Sequence, residues 1–275
     1  MPELPEVETI ARDLEDAVRG ATIAAVHVHR RDVLRECSAA ALAKRLTGAV
    51  LARFRRRAKY VIAELSSGDR LVVSPRFTGA LLVEPAPFRV DRSDYTAIQF
   101  ALTDGRTLRY RDVRRLGTVA LMSPRRFDEW QAAIGPEPLD PALTPDRFSG
   151  IVRASSRAIK TILMDQRRVA GIGNIYANES LWRARIRPTR RGTSLTRAEA
   201  ATLLAEARAV LAAAVAQRGT SFRDYRDPYG GRGGFLALAK VYGRAGEPCA
   251  RCGATLRATH KLERRITVWC ATCQR

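Results

Sequence analysis

Apolar residues set the first element of the chain. Between Pro5 and Val18 the positions Val7, Ile10, Ala11, Leu14 and Val18 recur at intervals of three and four, and Gly20 stops the pattern. That spacing predicts one amphipathic helix. From Thr22 to Met122 the runs become short and β-rich: Ala25–His29, Tyr60–Leu65, Leu71–Ser74, Ala80–Val83, Tyr95–Leu102, Thr107–Arg111 and Thr118–Met122. Turn signals such as Ser66-Ser67-Gly68-Asp69 and Thr103-Asp104-Gly105 separate them. Closely spaced strands without intervening helices predict an antiparallel β-sandwich. A Pro-rich passage from Gly135-Pro136-Glu137-Pro138 through Pro141 and Pro145 marks a boundary. Beyond it the period turns helical, and Thr196-Arg197-Ala198-Glu199 is a capping box opening a long Ala/Leu helix that runs to Gly219. The last segment, Glu247 to Arg275, returns to short β runs punctuated by cysteines, after a glycine-rich stretch at Gly230–Gly234. The fold class expected is α+β with two domains.

Charge narrows the partner. The 275 residues carry 48 Lys+Arg against 28 Asp+Glu, a formal net charge of +20. Such a surplus attracts a phosphate backbone by counterion release and steers association over distance, so nucleic acid is the expected partner. No window approaches the ~18 uncharged apolar residues of a membrane span. The stretch Met1–Glu8 holds three glutamates where a secretion signal needs a basic and then apolar start. No membrane association and a cytoplasmic, nucleoid-associated location are therefore expected. Gly171-Ile172-Gly173-Asn174 is too short for a dinucleotide fingerprint, position 176 being Tyr, so no nucleotide cofactor is expected.

Four of the five cysteines form Cys249-x-x-Cys252 and Cys270-x-x-Cys273, with seventeen residues between the pairs. Each pair can place two thiolates on one tight turn, and two such turns complete a closed tetrahedral site for one structural zinc ion. Paired disulfides are the alternative, which a cytoplasmic address disfavours. Cys37 reads as a plain core thiol, His260 as a surface residue, and His27 and His29 as one face of a half-exposed strand.

The most unusual local feature is Met1-Pro2-Glu3-Leu4-Pro5-Glu6. Prolines and acids at a helix start are good helix initiators, which is one reading. The other begins with removal of Met1, exposing the secondary amine of Pro2. An α-amino group has a pKa near 8 and is substantially unprotonated at neutral pH, unlike lysine. Its attack on an aldehyde-like carbon gives an iminium, an electron sink that permits elimination. Glu3 is placed to be a general acid or base, and Glu6 can lie on the same side of the first turn and hold the amine. A retained methionine would block the amine.

Taken in order, Pro2-Glu3-Leu4-Pro5-Glu6-Val7-Glu8-Thr9, Arg57-Ala58-Lys59-Tyr60, Gly135-Pro136-Glu137-Pro138-Leu139, Ala158-Ile159-Lys160, Gly171-Ile172-Gly173-Asn174-Ile175-Tyr176 and the four-cysteine finger resemble the bacterial formamidopyrimidine-DNA glycosylases from end to end. The resemblance implies an N-terminal helix plus antiparallel β-sandwich over 2–130, a linker over 131–150, a helix–two-turn–helix domain over 151–235 and a zinc finger over 236–275. It implies a monomer that binds damaged double-stranded DNA in the cleft between its halves. It also implies excision of oxidised purines such as 8-oxoguanine and formamidopyrimidines, with β,δ-elimination at the abasic site.

The same resemblance assigns roles. Pro2 is the nucleophile on the sugar C1′, Glu3 the general acid assisting ring opening, and Glu6 the supporting carboxylate. Lys59, counted with the catalytic group, contacts phosphate near the lesion; Lys160 lies near the damaged base; Asn174 and Arg265 grip phosphate together. A helix start at Asn174 suits a phosphate oxygen in any case. Extruding a nucleotide leaves a hole that wedges fill, and by position these are Phe77, Arg114 and Leu116. The chain departs from the family pattern here, where methionine and phenylalanine stand in place of Phe77 and Leu116, histidine in place of Ser74 and proline in place of Val113. Ser221 to Gly234 resembles a loop that closes over the flipped base. The rivals are the endonuclease VIII branch, which acts on oxidised pyrimidines and against which Leu4 and Lys160 argue, and a non-catalytic zinc DNA-binding protein.

Overall fold

The computed structural model describes residues 2–86, 95–220 and 231–275. Met1 and the residues 221–230 of the expected closing loop lie outside them. Two compact units divide the chain, Met1–Ala132 with Arg218–Gly234, and Ala133–Gln217 with Phe235–Arg275.

In the first unit the predicted amphipathic helix is α1 (Leu4–Val18), and Leu4, Val7, Ile10, Ala11, Leu14 and Val18 are all buried. Strand β1 (Ile23–Val28) is followed by the two-residue β2 (Leu34–Arg35), helix α2 (Ala39–Leu46), and then β3 (Leu51–Arg57), β4 (Tyr60–Leu65), β5 (Arg70–Ser74), β6 (Gly79–Glu84), β7 (Thr96–Leu102), β8 (Thr107–Asp112) and β9 (Thr118–Met122), with α3 (Pro124–Ala132) closing the run. They form a four-stranded sheet ordered β1-β7-β8-β6 and a five-stranded sheet ordered β2-β9-β5-β4-β3. All pairs are antiparallel except β2 with β9, which is parallel and joins at Leu34–Val119 and Arg35–Ala120. Residues of both sheets and of α1 share one core, including Phe54, Val73, Leu81, Phe100, Tyr110 and Leu121. Burial on that scale supplies most of the stabilisation, at about 25 cal/mol per Å² of apolar surface.

Sequence periodicity leaves out α2, β3 and α3. Strand β3, Leu-Ala-Arg-Phe-Arg-Arg-Arg, buries only Leu51 and Phe54. A register shift between Leu51 and Arg53 breaks the alternation on which strand recognition depends.

The second unit contains α4 (Pro145–Arg153), α5 (Ile159–Met164), α6 (Asn174–Arg183) and the twenty-residue α7 (Arg197–Ala216), which opens on the predicted capping box between Thr196 and Glu199. Helix α6 is buried from Ile175 to Trp182, polar Asn178, Glu179 and Ser180 included. The Glu179 carboxylate accepts backbone N–H bonds from Lys240, Val241 and Tyr242 at 2.8–2.9 Å, fixing the segment that leads to the finger. The finger is the hairpin β10 (Arg257–Thr259) with β11 (Thr267–Trp269). Among the described residues no helix is long and apolar enough to cross a membrane.

Candidate functional site

Pro2 and Glu3 lead into α1, Glu6 lies in its first turn, and all three are buried, with Glu3 3% and Glu6 1% exposed. A carboxylate at a helix start normally sits in water, where the helix dipole alone favours it. Here Glu6 accepts from the N–H of Glu3 through Oε2 and from the N–H of Thr220 through Oε1, both at 2.7 Å. Two turns along the helix, buried Asp13 takes both terminal nitrogens of Arg218 at 3.1 and 2.6 Å. Residues 218–220 are thereby laid along the acidic side of α1. Gly219 lies between them at φ +82°, and a Cβ there would come within 2.7 Å of the Glu6 side chain. The sequence singles out Glu6 but not its partner Thr220. The seven-residue spacing of Glu6 and Asp13, two turns on one face, is the signal that would have disclosed the strip.

Lys59 occupies the two-residue turn of the β3–β4 hairpin, after Ala58, which is buried and left-handed at φ 51°. Arg56 braces this turn, donating to the Ala58 carbonyl at 3.1 Å and pairing with Glu8 of α1 at 2.9 Å, its own side chain 9% exposed. The hairpin carrying Lys59 is thus fixed to the helix carrying Pro2 and Glu3.

The loops holding Phe77 and Arg114–Leu116 meet at one end of the sandwich. The Arg114 guanidinium lies 5.1 Å from the Phe77 ring centre, a cation–π distance, and Leu116 is 44% exposed. Each loop carries a left-handed arginine, Arg76 at φ 51° and Arg115 at φ 50°. Strained backbone of this kind concentrates where function holds a loop in place.

In the second unit Asn174 starts α6 behind Gly173, and its side-chain Oδ1 is buried without a hydrogen-bond partner. Arg265 closes a turn in which Glu263 and Arg264 are both left-handed and the Arg265 N–H bonds to the Leu262 carbonyl at 3.0 Å. Lys160, expected near the damaged base, is anchored to the finger hairpin. It is 0% exposed, and its Nζ donates to the Ile266 carbonyl at 3.1 Å and the Thr267 hydroxyl at 2.7 Å. Asn178 reinforces the same contact, its Nδ2 reaching the Ile266 carbonyl and its Oδ1 accepting the Val268 N–H at 3.2 Å. The amine in this way holds the residues next to Arg265.

The four finger thiols Cys249, Cys252, Cys270 and Cys273 have their sulfurs within 4.8 Å of one another. Tetrahedral Zn–S bonds of about 2.3 Å separate sulfurs by about 3.8 Å, so the cluster fits one ion with no open position. Cys249 is drawn down to about 6: burial opposes this, but the Arg251 backbone N–H and the Trp182 indole stabilise its thiolate. Cys273 is pushed up to about 12 by burial and then by hydrogen bonding with Cys252 and Cys270. His260 is exposed and takes no part, and Cys37 packs half-buried against the sandwich core.

The comparisons bear on both units. Residues 1–119 match the model of the formamidopyrimidine-DNA glycosylase N-terminal domain, and residues 134–226 match that of the H2TH domain of the same glycosylase. The chain belongs to the formamidopyrimidine-DNA glycosylase family. It is 40% identical to the formamidopyrimidine-DNA glycosylase of Thermomicrobium roseum, over all of this chain and 99% of that one. It is equally 40% identical to that of Xanthomonas campestris over the full length of both. Among solved structures, the Lactococcus lactis Fpg in complex with DNA containing an abasic site superposes with a TM-score of 0.91 at 31% identity, covering 99% of each chain. A variant of that enzyme bound to DNA containing Fapy-dG gives 0.92 at 32% identity over both chains in full.

Proposed function

We propose that this protein is a bifunctional DNA glycosylase and abasic-site lyase that removes oxidised purines, 8-oxoguanine and formamidopyrimidines, from duplex DNA, working as a monomer in the cytoplasm on the nucleoid. The observation that carries the reading is the burial of Glu3 and Glu6 beside Pro2. Two carboxylates withdrawn from water are costly, and a helix start alone does not require them.

With Met1 removed, the neutral Pro2 amine attacks C1′ of the damaged nucleotide. The bond from C1′ to the base breaks, and the base leaves with the bonding electrons and a proton. Glu3 donates a proton to O4′ as the C1′–O4′ bond opens, and the nitrogen lone pair forms the iminium. That cation withdraws electrons from C2′. Loss of a C2′ proton breaks the C3′–O bond and releases one phosphate, and a further proton loss at C4′ releases the other from C5′. Water hydrolyses the iminium and returns the amine. Glu6, bound to the backbone of Glu3 and Thr220, holds the turn on which these groups sit.

Lys59 and Arg265 neutralise phosphates and Asn174 hydrogen-bonds one, while Phe77, Arg114 and Leu116 enter the stack where the nucleotide is extruded. One zinc ion on Cys249, Cys252, Cys270 and Cys273 supplies structure to the finger bearing Arg265 and takes no part in the chemistry. A second reading, excision of oxidised pyrimidines, has one observation in its favour: the Lactococcus lactis enzyme has been crystallised with DNA containing an oxidised pyrimidine. Borohydride reduction during turnover tests both. A covalent adduct of the processed protein on duplexes bearing 8-oxoguanine opposite cytosine, exceeding that on thymine glycol duplexes, is expected. Preference for thymine glycol selects the second reading, and no adduct on any abasic duplex overturns the enzyme.

A further inference from the structure

We propose that Asp112 and Thr78 are positioning residues that lock the loop of Phe77 and the loop of Arg114 and Leu116 into one preformed wedge, an inference that rests on the wedge reading given above. The topology brings the loops together. Residues 75–78 pass from β5 in the five-stranded sheet to β6 in the four-stranded sheet, and residues 113–117 make the reverse crossing from β8 to β9. The register aligns Ser74 with Thr118 at one root and Gly79 with Asp112 at the other. Two crossovers sharing both roots must run side by side.

Asp112 lies at that junction, 1% exposed. Its Oδ1 accepts from the Thr78 hydroxyl at 2.5 Å, and its Oδ2 accepts from the Gly117 N–H at 2.8 Å and the Tyr110 hydroxyl at 3.3 Å. Thr78 completes the link, because its oxygen also accepts the Arg114 N–H at 3.0 Å. One carboxylate and one hydroxyl therefore bond backbone or side chain in both loops. The packing beneath is tight: a Cβ on Gly117 would lie 1.8 Å from the Tyr110 hydroxyl, and one on Gly79 would lie 2.6 Å from it. Burial, and then the neighbouring Asp112 charge, raise the Tyr110 phenol above its usual range, so it remains a donor.

Above this polar root stand the groups that meet DNA. Arg114 lies over the Phe77 ring, and Val113 and Leu116 are 39% and 44% exposed. A wedge works against the stacking of the step it opens. Loops that had to order themselves on insertion would lose part of the contact energy to conformational entropy, and a locked pair avoids that loss. Thr78 and Asp112 touch no DNA in this scheme; they act through Phe77 and Arg114.

Thr78→Val keeps shape and branching but removes both hydroxyl bonds, and Thr78→Ser keeps the hydroxyl. The probe is a non-cleavable duplex with a tetrahydrofuran site and 2-aminopurine at the neighbouring step, whose fluorescence rises on unstacking. For Thr78→Val we expect binding within about threefold of wild type, set by phosphate contacts, with the fluorescence rise slowed about fivefold or more. Excision from a paired lesion should fall about tenfold in kcat with KM little changed, while cleavage of a preformed abasic site changes less than about twofold. Thr78→Ser should restore both readouts. The proposal is overturned if Thr78→Val matches wild type in the fluorescence rise, if it lowers paired-lesion and abasic cleavage equally, or if serine does not rescue. Wild type failing to excise any lesion would defeat the glycosylase reading, and the fluorescence arm would still report on the wedge.

Discussion

Glu6 and Thr220, 214 positions apart in the chain, are joined by a 2.7 Å hydrogen bond from backbone N–H to carboxylate. The bond ties the helix that presents Pro2 to the last residue before the segment resembling a closing loop. Since the other Glu6 oxygen accepts the Glu3 N–H, an amide at this position must aim its NH₂ at one of two fixed donors. Glu6→Gln is expected to cost about 1–3 kcal/mol, read as a lower urea midpoint, and to slow borohydride trapping. Gly219→Ala, strained at φ +82° and directed at the Glu6 side chain, should do the same. Wild-type trapping by both variants would remove Glu6 from the mechanism.

Lys160→Met should retain zinc yet weaken binding to lesion and undamaged duplexes alike. Losing a charge-assisted bond to the Ile266 carbonyl and one to the Thr267 hydroxyl frees the strand behind Arg265, at about 1.5–3 kcal/mol. Titration by fluorescence anisotropy checks this. A loss confined to the lesion duplex would instead support a place near the damaged base.

Stripping the finger with a strong chelator, or replacing Cys270 by Ser, is expected to abolish most DNA affinity while the β-sandwich stays folded. Zinc release measured with a chromogenic indicator and unfolding followed by circular dichroism separate the two effects. Unchanged DNA binding without zinc would contradict a structural finger.

Glu199 gives a pH prediction. Its hydrogen bond from Arg190, then the Thr196 N–H, outweigh burial and hold the carboxyl at about 2. A lowered folded-state pKa stabilises above the unfolded value, near 4.3, and the contribution disappears as pH falls toward 2. The pair is about one-third exposed on the acid side, so about 1 kcal/mol or less is involved. Urea midpoints at pH 6, 4 and 3 should fall less steeply for Glu199→Gln than for wild type.

Most of the β-sandwich was legible because Tyr60–Leu65 and Thr118–Met122 are strands of β-branched and apolar residues, observed with those same limits. Strand β3 was not, since its arginines and its irregular register hide the period of two. The finger ligands were legible because two Cys-x-x-Cys turns carry their geometry locally. Asp112 and Asp13 were not: nothing near either acid names its partner, which only sheet register or a returning segment supplies. The partners of Lys160 were hidden for the same reason, because Ile266 and Thr267 lie more than a hundred residues away.

The return of residues 218–220 to α1 bears on biosynthesis. A ribosome must deliver about four-fifths of the polypeptide before Glu6 meets the amide of Thr220, although domains ordinarily assemble as they emerge, amino-terminal first. A nascent chain halted earlier carries a sandwich in which Glu6 keeps its bond to the Glu3 N–H but still lacks the one from Thr220.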